Sequence, residues 1–109
     1  MLMLSRQQYI RHRLENLNIG VPKSYSLSQN YPNPFNPVTK INYAIPKDGL
    51  VKIRIYDILG REIIKLVNEE KPAGTYELTW NAENLPSGIF FYQLRTNSFI
   101  ENKKMILLR

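Results

Sequence analysis

One feature constrains the fold of this chain more than any other: from Tyr25 to the end, apolar and polar residues alternate with a period of two. Thr39, Ile41, Tyr43 and Ile45 alternate with Lys40, Asn42 and Ala44. Val51, Ile53 and Ile55 alternate with Lys52, Arg54 and Tyr56. Tyr76, Leu78 and Trp80 alternate with Glu77, Thr79 and Asn81, and Phe90, Tyr92 and Leu94 with Phe91, Gln93 and Arg95. Met105 and Leu107 continue the pattern. A helix repeats every 3.6 residues and cannot keep such a set on one side, whereas a strand turns successive side chains to opposite faces. Each run therefore reads as a strand with one face on a core and the other toward water. Residues 61–67 and 99–108 are apolar on both faces, so their inward set stays open.

The breaks between runs are equally regular. Asn30 to Pro37 carries three prolines, which have no amide donor, so this stretch is not a central strand. Pro46-Lys47-Asp48-Gly49 and Lys71-Pro72-Ala73-Gly74 read as tight breaks. Asp57-Ile58-Leu59-Gly60 suits a type I turn, with Asp57 capping locally and Gly60 taking a positive φ. Leu85-Pro86-Ser87-Gly88 places Pro86 and Gly88 at the second and fourth positions of another type I turn. Strands are expected near 24–29, 38–45, 50–56, 61–67, 75–81, 89–96 and 102–108. Seven short strands with a turn signal every ten residues or so predict an all-β fold: a seven-stranded antiparallel Ig-like β-sandwich over residues 24–109. The expected core is Ile41, Tyr43, Ile53, Ile55, Leu78, Trp80, Tyr92 and Leu94. Trp80 is expected to pack against Tyr76 and Leu78, its burial contributing roughly 1.5–3 kcal/mol.

Residues 1–23 follow another rule. Ile10, Leu14 and Leu17 recur at helical spacing over residues 5–18, with Asn18, Gly20 and Pro22 as stop signals. So short a helix is marginal alone. This segment is read as a helical or disordered N-terminal extension, loosely docked rather than partner-binding. Its opening, Met1-Leu2-Met3-Leu4-Ser5-Arg6, runs from apolar to basic, the reverse of a secretory signal, so no signal peptide is expected. No apolar stretch nears the roughly 20 residues of a membrane helix.

Composition excludes several chemistries. The chain has no cysteine and one histidine, His12, so a thiolate site, a disulfide framework and a histidine-based zinc site in the patterned region are all ruled out. The net charge of +6 is spread thinly, with Lys103-Lys104 the longest basic run in the patterned region. That permits weak attraction to anionic surfaces but is no nucleic-acid footprint. Asp48 and Asp57 fall in turns. Glu69-Glu70 reads as a solvated loop without a third metal ligand. No serine sits in a Gly-x-Ser-x-Gly elbow, and no phosphate-binding glycine loop exists. Neither an enzyme, a cofactor nor a metal is expected. Tyr56 and Phe91, with Arg54 and Arg95, fall on the outward side of their strands and read first as cross-strand pairs on the sheet surface.

Five blocks carry a family resemblance. They are Tyr25-Ser-Leu-Ser-Gln-Asn-Tyr-Pro-Asn-Pro-Phe-Asn-Pro-Val-Thr-Lys-Ile-Asn-Tyr-Ala-Ile-Pro46; Val51-Lys-Ile-Arg-Ile-Tyr-Asp-Ile-Leu-Gly-Arg61; Ala73-Gly74 before Trp80; Leu85-Pro-Ser-Gly-Ile-Phe-Phe-Tyr-Gln-Leu94; and Lys103-Lys-Met-Ile-Leu-Leu-Arg109. Together they resemble the C-terminal sorting domain of the type IX (Por) secretion system. The Ig-like domain of the flagellar hook-capping protein is similar in pattern, so an Ig-like binding or assembly module, of adhesion or hook-cap type, is the alternative. The resemblance implies a module that directs fused cargo of a Bacteroidetes-type bacterium through the translocon to the cell surface or exterior, commonly with cleavage by processing machinery. It implies recognition at the last strand, here Lys103, Lys104, Met105, Leu107 and Arg109. A physical route is an unpaired strand edge offered to a receptor sheet. Phe90 stands where the family more often has tyrosine, which removes a hydroxyl that could tie this corner to backbone.

Overall fold

A computed structural model describes residues 21–109. The 5–18 helix expected from sequence lies outside the described residues. The seven strands are β1 (Ser26–Leu27), β2 (Val38–Ile45), β3 (Gly49–Tyr56), β4 (Glu62–Lys71), β5 (Gly74–Asn81), β6 (Gly88–Arg95) and β7 (Ile100–Leu107). They form two antiparallel sheets, β1-β2-β5 and β4-β3-β6-β7, and there is no helix among the described residues. The chain crosses between sheets at β2–β3, β4–β5 and β5–β6, which gives a two-layer sandwich.

The alternating residues meet between the layers. Ile41 and Ile45 come from one sheet, and Val51, Ile53, Ile55, Tyr92, Leu94, Met105 and Leu107 from the other, all with at most 1% exposure. Tyr43 and Trp80 are buried as well. Leu78 is only half-buried, packed against the core from β5. β5 is a sheet edge with no strand beyond it, so its inward face is partly open.

Trp80 does not pack chiefly on its own strand. Its ring lies 5.8 Å from Phe35 and 6.3 Å, edge-on, from Phe90 of the facing sheet. Side chains two apart on one strand stand side by side, so a large ring finds its partners across the sandwich. Phe35, from the proline-rich stretch, is 2% exposed and plugs the core. That stretch holds three cis peptide bonds, before Pro32, Pro34 and Pro37.

Two strands differ from the sequence expectation. β1 is two residues long rather than six. The cause is Ser28: its carbonyl turns inward to accept the Tyr92 hydroxyl, and its own hydroxyl accepts the Asn42 amide in place of a backbone carbonyl. β4 runs on to Lys71 and contains two register shifts against β3, which set Leu66 and Ile63 outside the ladder. Those bulges explain why 61–67 is apolar on both faces. Glu69-Glu70 belongs to this strand, not to a loop. Successive strand residues point to opposite faces, so the two carboxylates cannot converge on one cation. Glu69 instead reaches Lys71 at 3.5 Å.

Candidate functional site

β7 is the last strand and forms one edge of the four-stranded sheet. Its residues alternate between three environments. Met105 and Leu107 are completely buried, opposite Phe90 and Gly88 of β6. Lys103, opposite Tyr92, points to the same side, but at the open rim, where it pairs with Glu101 at 3.3 Å. Lys104 points outward and is exposed, opposite Phe91. Beyond the strand, the Arg109 amide donates to Ser87 Oγ at 2.8 Å and its Nη2 donates to the Glu83 carbonyl at 2.5 Å. Five residues grouped by sequence therefore split: Lys104 and Arg109 face solvent, Lys103 lies at the rim, and Met105 and Leu107 lie within the core.

The edge of β7 is half closed. Phe35 makes a parallel bridge to Leu107: its amide donates to the Ile106 carbonyl at 2.9 Å, and its carbonyl accepts the Leu108 amide at 3.0 Å. Asn33 Oδ1 accepts the Ile106 amide, and Gln29 Nε2 donates to the Lys104 carbonyl. Among the described residues, the edge expected to offer unpaired groups thus offers them at Ile100, at Asn102 and at the Lys104 amide, and is closed from the Lys104 carbonyl onward. The reason is in the sequence. Pro34 and Pro37 flank Phe35 and Asn36, so the loop has the donors for one bridge but not for a strand. Such a segment seals an edge without presenting a new one.

A buried polar network holds this strap. The Tyr92 hydroxyl accepts from the Asn30 amide at 2.8 Å and donates to the Ser28 carbonyl at 2.6 Å. Asn30 Nδ2 donates to Thr39 Oγ1 and to the Pro32 carbonyl, while its Oδ1 accepts from Gln29. Thr39 Oγ1 donates to the same Pro32 carbonyl. Asn30 and Thr39 are buried, and every donor of the Asn30 carboxamide is used, as a buried amide requires. Burial pushes the Tyr92 phenol up to about 12, partly offset by its hydrogen bond to the Asn30 backbone. The Tyr92 hydroxyl thus ties β6 to the far side of the sandwich. Sequence reading missed Phe35 and Asn30; the only available signal was an aromatic between Pro34 and Pro37, and an amide at the head of the run.

The turn residues fall at the same end of the molecule. Asp57 Oδ1 accepts the Leu59 and Arg61 amides, and Oδ2 accepts Arg61 Nε at 2.7 Å. The Arg61 amide and guanidinium and the Leu59 amide hold this carboxyl below its usual range. Gly60 has a φ of +81° and donates to the Asp57 carbonyl. The second turn sits upstream of its expected place. Its hydrogen bond closes Ala82 to Leu85, because Asn81 Oδ1 captures the Glu83 amide as soon as β5 ends. Pro86 follows this turn, and Gly88 already opens β6. Among the described residues no group of three or more His, Cys, Asp or Glu gathers to hold a metal, and no helix is long and apolar enough to cross a membrane.

The family model for the secretion system C-terminal sorting domain matches residues 29–108. The chain belongs to that family. The sorting domain is a C-terminal sorting signal for type IX secretion, interacts with that machinery, and rides on cargo that is secreted or held at the cell surface. It is not an enzymatic family. The match begins at Gln29, so it takes in the whole strap and all of β7. No curated protein matches the chain.

Proposed function

We propose that this chain acts, without catalysis of its own, as the sorting module of a longer cargo, handed first to the translocon and then to processing machinery. The observation that carries the reading is β7. Its buried residues, Met105 and Leu107, fix the strand in the core, while Lys104 and Arg109 stay presented at the surface. A receptor meeting the folded module touches Lys104 and Arg109 directly. Met105 and Leu107 act by holding the register, and Lys103 by its rim pair with Glu101. Side-chain reading of Met105 or Leu107 would require the strand to leave the sheet.

The test is a periplasmic reporter fused ahead of the full chain in a secretion-competent cell. The intact fusion is expected outside the cell. Removing residues 103–109 strips two fully buried side chains from the core as well as the surface cations, and export should cease. Met105→Leu keeps volume and should cost less than about 1.5 kcal/mol, leaving export intact. Unchanged export after the deletion would contradict a role for the last strand.

A further inference from the structure

The outer face of the four-stranded sheet carries a charge pattern that folding does not explain. The register sets Lys52 directly opposite Arg95, and Arg54 directly opposite Lys65. Like charges facing each other across a ladder are destabilising. Phe91 of β6 sits between Tyr56 on one side and Lys104 on the other. Arg54 has a loose partner, Glu62 at 3.6 Å, and its Nε makes no hydrogen bond. Lys52, Lys65, Arg95 and Lys104 have no salt bridge among the described residues. The outer face of the other sheet shows no such pattern: its single lysine, Lys40, pairs with its single glutamate, Glu77, at 3.6 Å.

We infer that the outer face of the β4-β3-β6-β7 sheet is a docking surface for an acidic patch on a protein of the secretion machinery, with Tyr56, Phe91 and Lys104 in one row across the strands and Lys65, Lys52 and Arg95 in the next two rows along them. The inference rests on the sorting reading and goes beyond the terminal strand. Two like-charged cross-strand pairs weaken the isolated module, and an acidic partner would relieve both at once. Four strands spaced about 4.8 Å and some 20 Å long present roughly 400 Å². That area suits a transient contact, one that buries less than about 1,200 Å² in total, as a signal that must be released requires. Two half-buried rings lying on the sheet give such a contact an apolar end beside the basic rows. Complementary rim charge acts mainly on the rate of encounter and makes it salt-sensitive.

The experiment compares the reporter fusion of the full chain with its K52E/K65E and R95E/K104E variants, which place each new glutamate at position 52, 65 or 95 opposite a remaining cation, and with K40E on the opposite face. Each charge-reversed pair is expected to lower export at least about tenfold, the effect of some 1.4 kcal/mol in recognition. The melting temperature of the purified chain should stay level or rise, because repulsion is removed. K40E should export normally. A loss of export with unchanged or higher stability is the signature that a merely structural role does not give. Export within about twofold of the parent would overturn the inference, as would a fall in melting temperature that accounts for the loss. If the parent fusion itself stays in the periplasm, the sorting reading fails, and this inference with it. A second arm titrates the purified chain against detergent-solubilised translocon and against phosphatidylglycerol-rich vesicles. Salt-sensitive translocon binding lost in K52E/K65E supports the inference. Binding to vesicles alone would assign the face to lipid and overturn the protein partner.

Discussion

The two ends of this sandwich are built differently. At one end the proline-rich strap, the Asp57–Arg61 turn, the Ala82–Leu85 turn and the C-terminal residues converge. Phe35, Trp80 and Phe90 fill the interior there, each at most 6% exposed. At the other end the loops after β2, β4 and β6 are joined by a side-chain hydrogen bond and two stacked ring pairs. Asp48 Oδ1 accepts the Ala73 amide, Tyr25 stacks on Phe99 at 5.0 Å, and Tyr43 stacks on the half-buried Tyr76 at 5.2 Å. The difference teaches where the signal is kept. The strand that the secretion machinery is proposed to read ends inside the end closed by the strap and its aromatic plug, so presenting it and folding the domain are one event.

The comparison breaks most sharply under truncation of the aromatic plug. Phe35→Ala and Trp80→Ala should each cost about 3–5 kcal/mol in denaturant unfolding. Tyr25→Ala, at the other end, should shift the midpoint less, since its ring is only partly buried against the core. Equal losses at the two ends would erase the distinction.

A smaller effect sharpens it. Tyr92→Phe leaves the buried Asn30 amide and the Ser28 carbonyl without their partner and should cost about 1–3 kcal/mol. The variant also has a pH signature. Burial holds the Tyr92 phenol neutral to about 12, and desolvation does the same for Tyr43. A phenol whose folded value lies above its unfolded value of about 10 contributes stability that is complete below that pH and is lost as pH rises toward 12. Alkaline unfolding in that window should therefore flatten by roughly one proton in Tyr92→Phe. An unaltered slope would mean that the hydroxyl does not anchor the strap. Smaller still, Gly60→Ala forces a side chain into left-handed backbone. It should cost about 1–2 kcal/mol while leaving the strap's hydrogen bonds intact, as read by the Tyr92 alkaline titration.

Much of the fold was legible because local pattern decides it. The alternation at 38–45, 50–56 and 89–96 names both the strand and its inward face, since a sheet with one wet side admits only one register. The same rule failed at β4, where two bulges carry residues out of phase, and at Leu78, where an edge position halves burial. The strap was hidden for another reason. Its contacts join Asn30 to Tyr92 and Asn33 to Ile106, over 62 and 73 residues. Nothing local marks which end of a sandwich a proline-rich loop will close. Prolines announced a break; they did not announce that the one aromatic between them would be a core residue. The terminal residues followed suit: Lys104 and Met105 are neighbours in sequence, yet one lies in water and the other in the interior because a strand separates them.

Amide hydrogen exchange at β7 tests directly whether the strap holds the C-terminal half of the last strand. Ile106 and Leu108 direct their amides away from β6, toward Asn33 and Phe35, so they should exchange as slowly as the core strands. Asn102, on the same edge but beyond the reach of the loop, should exchange quickly. Fast exchange at Ile106 and Leu108 in the folded domain would show an open edge and contradict the strap.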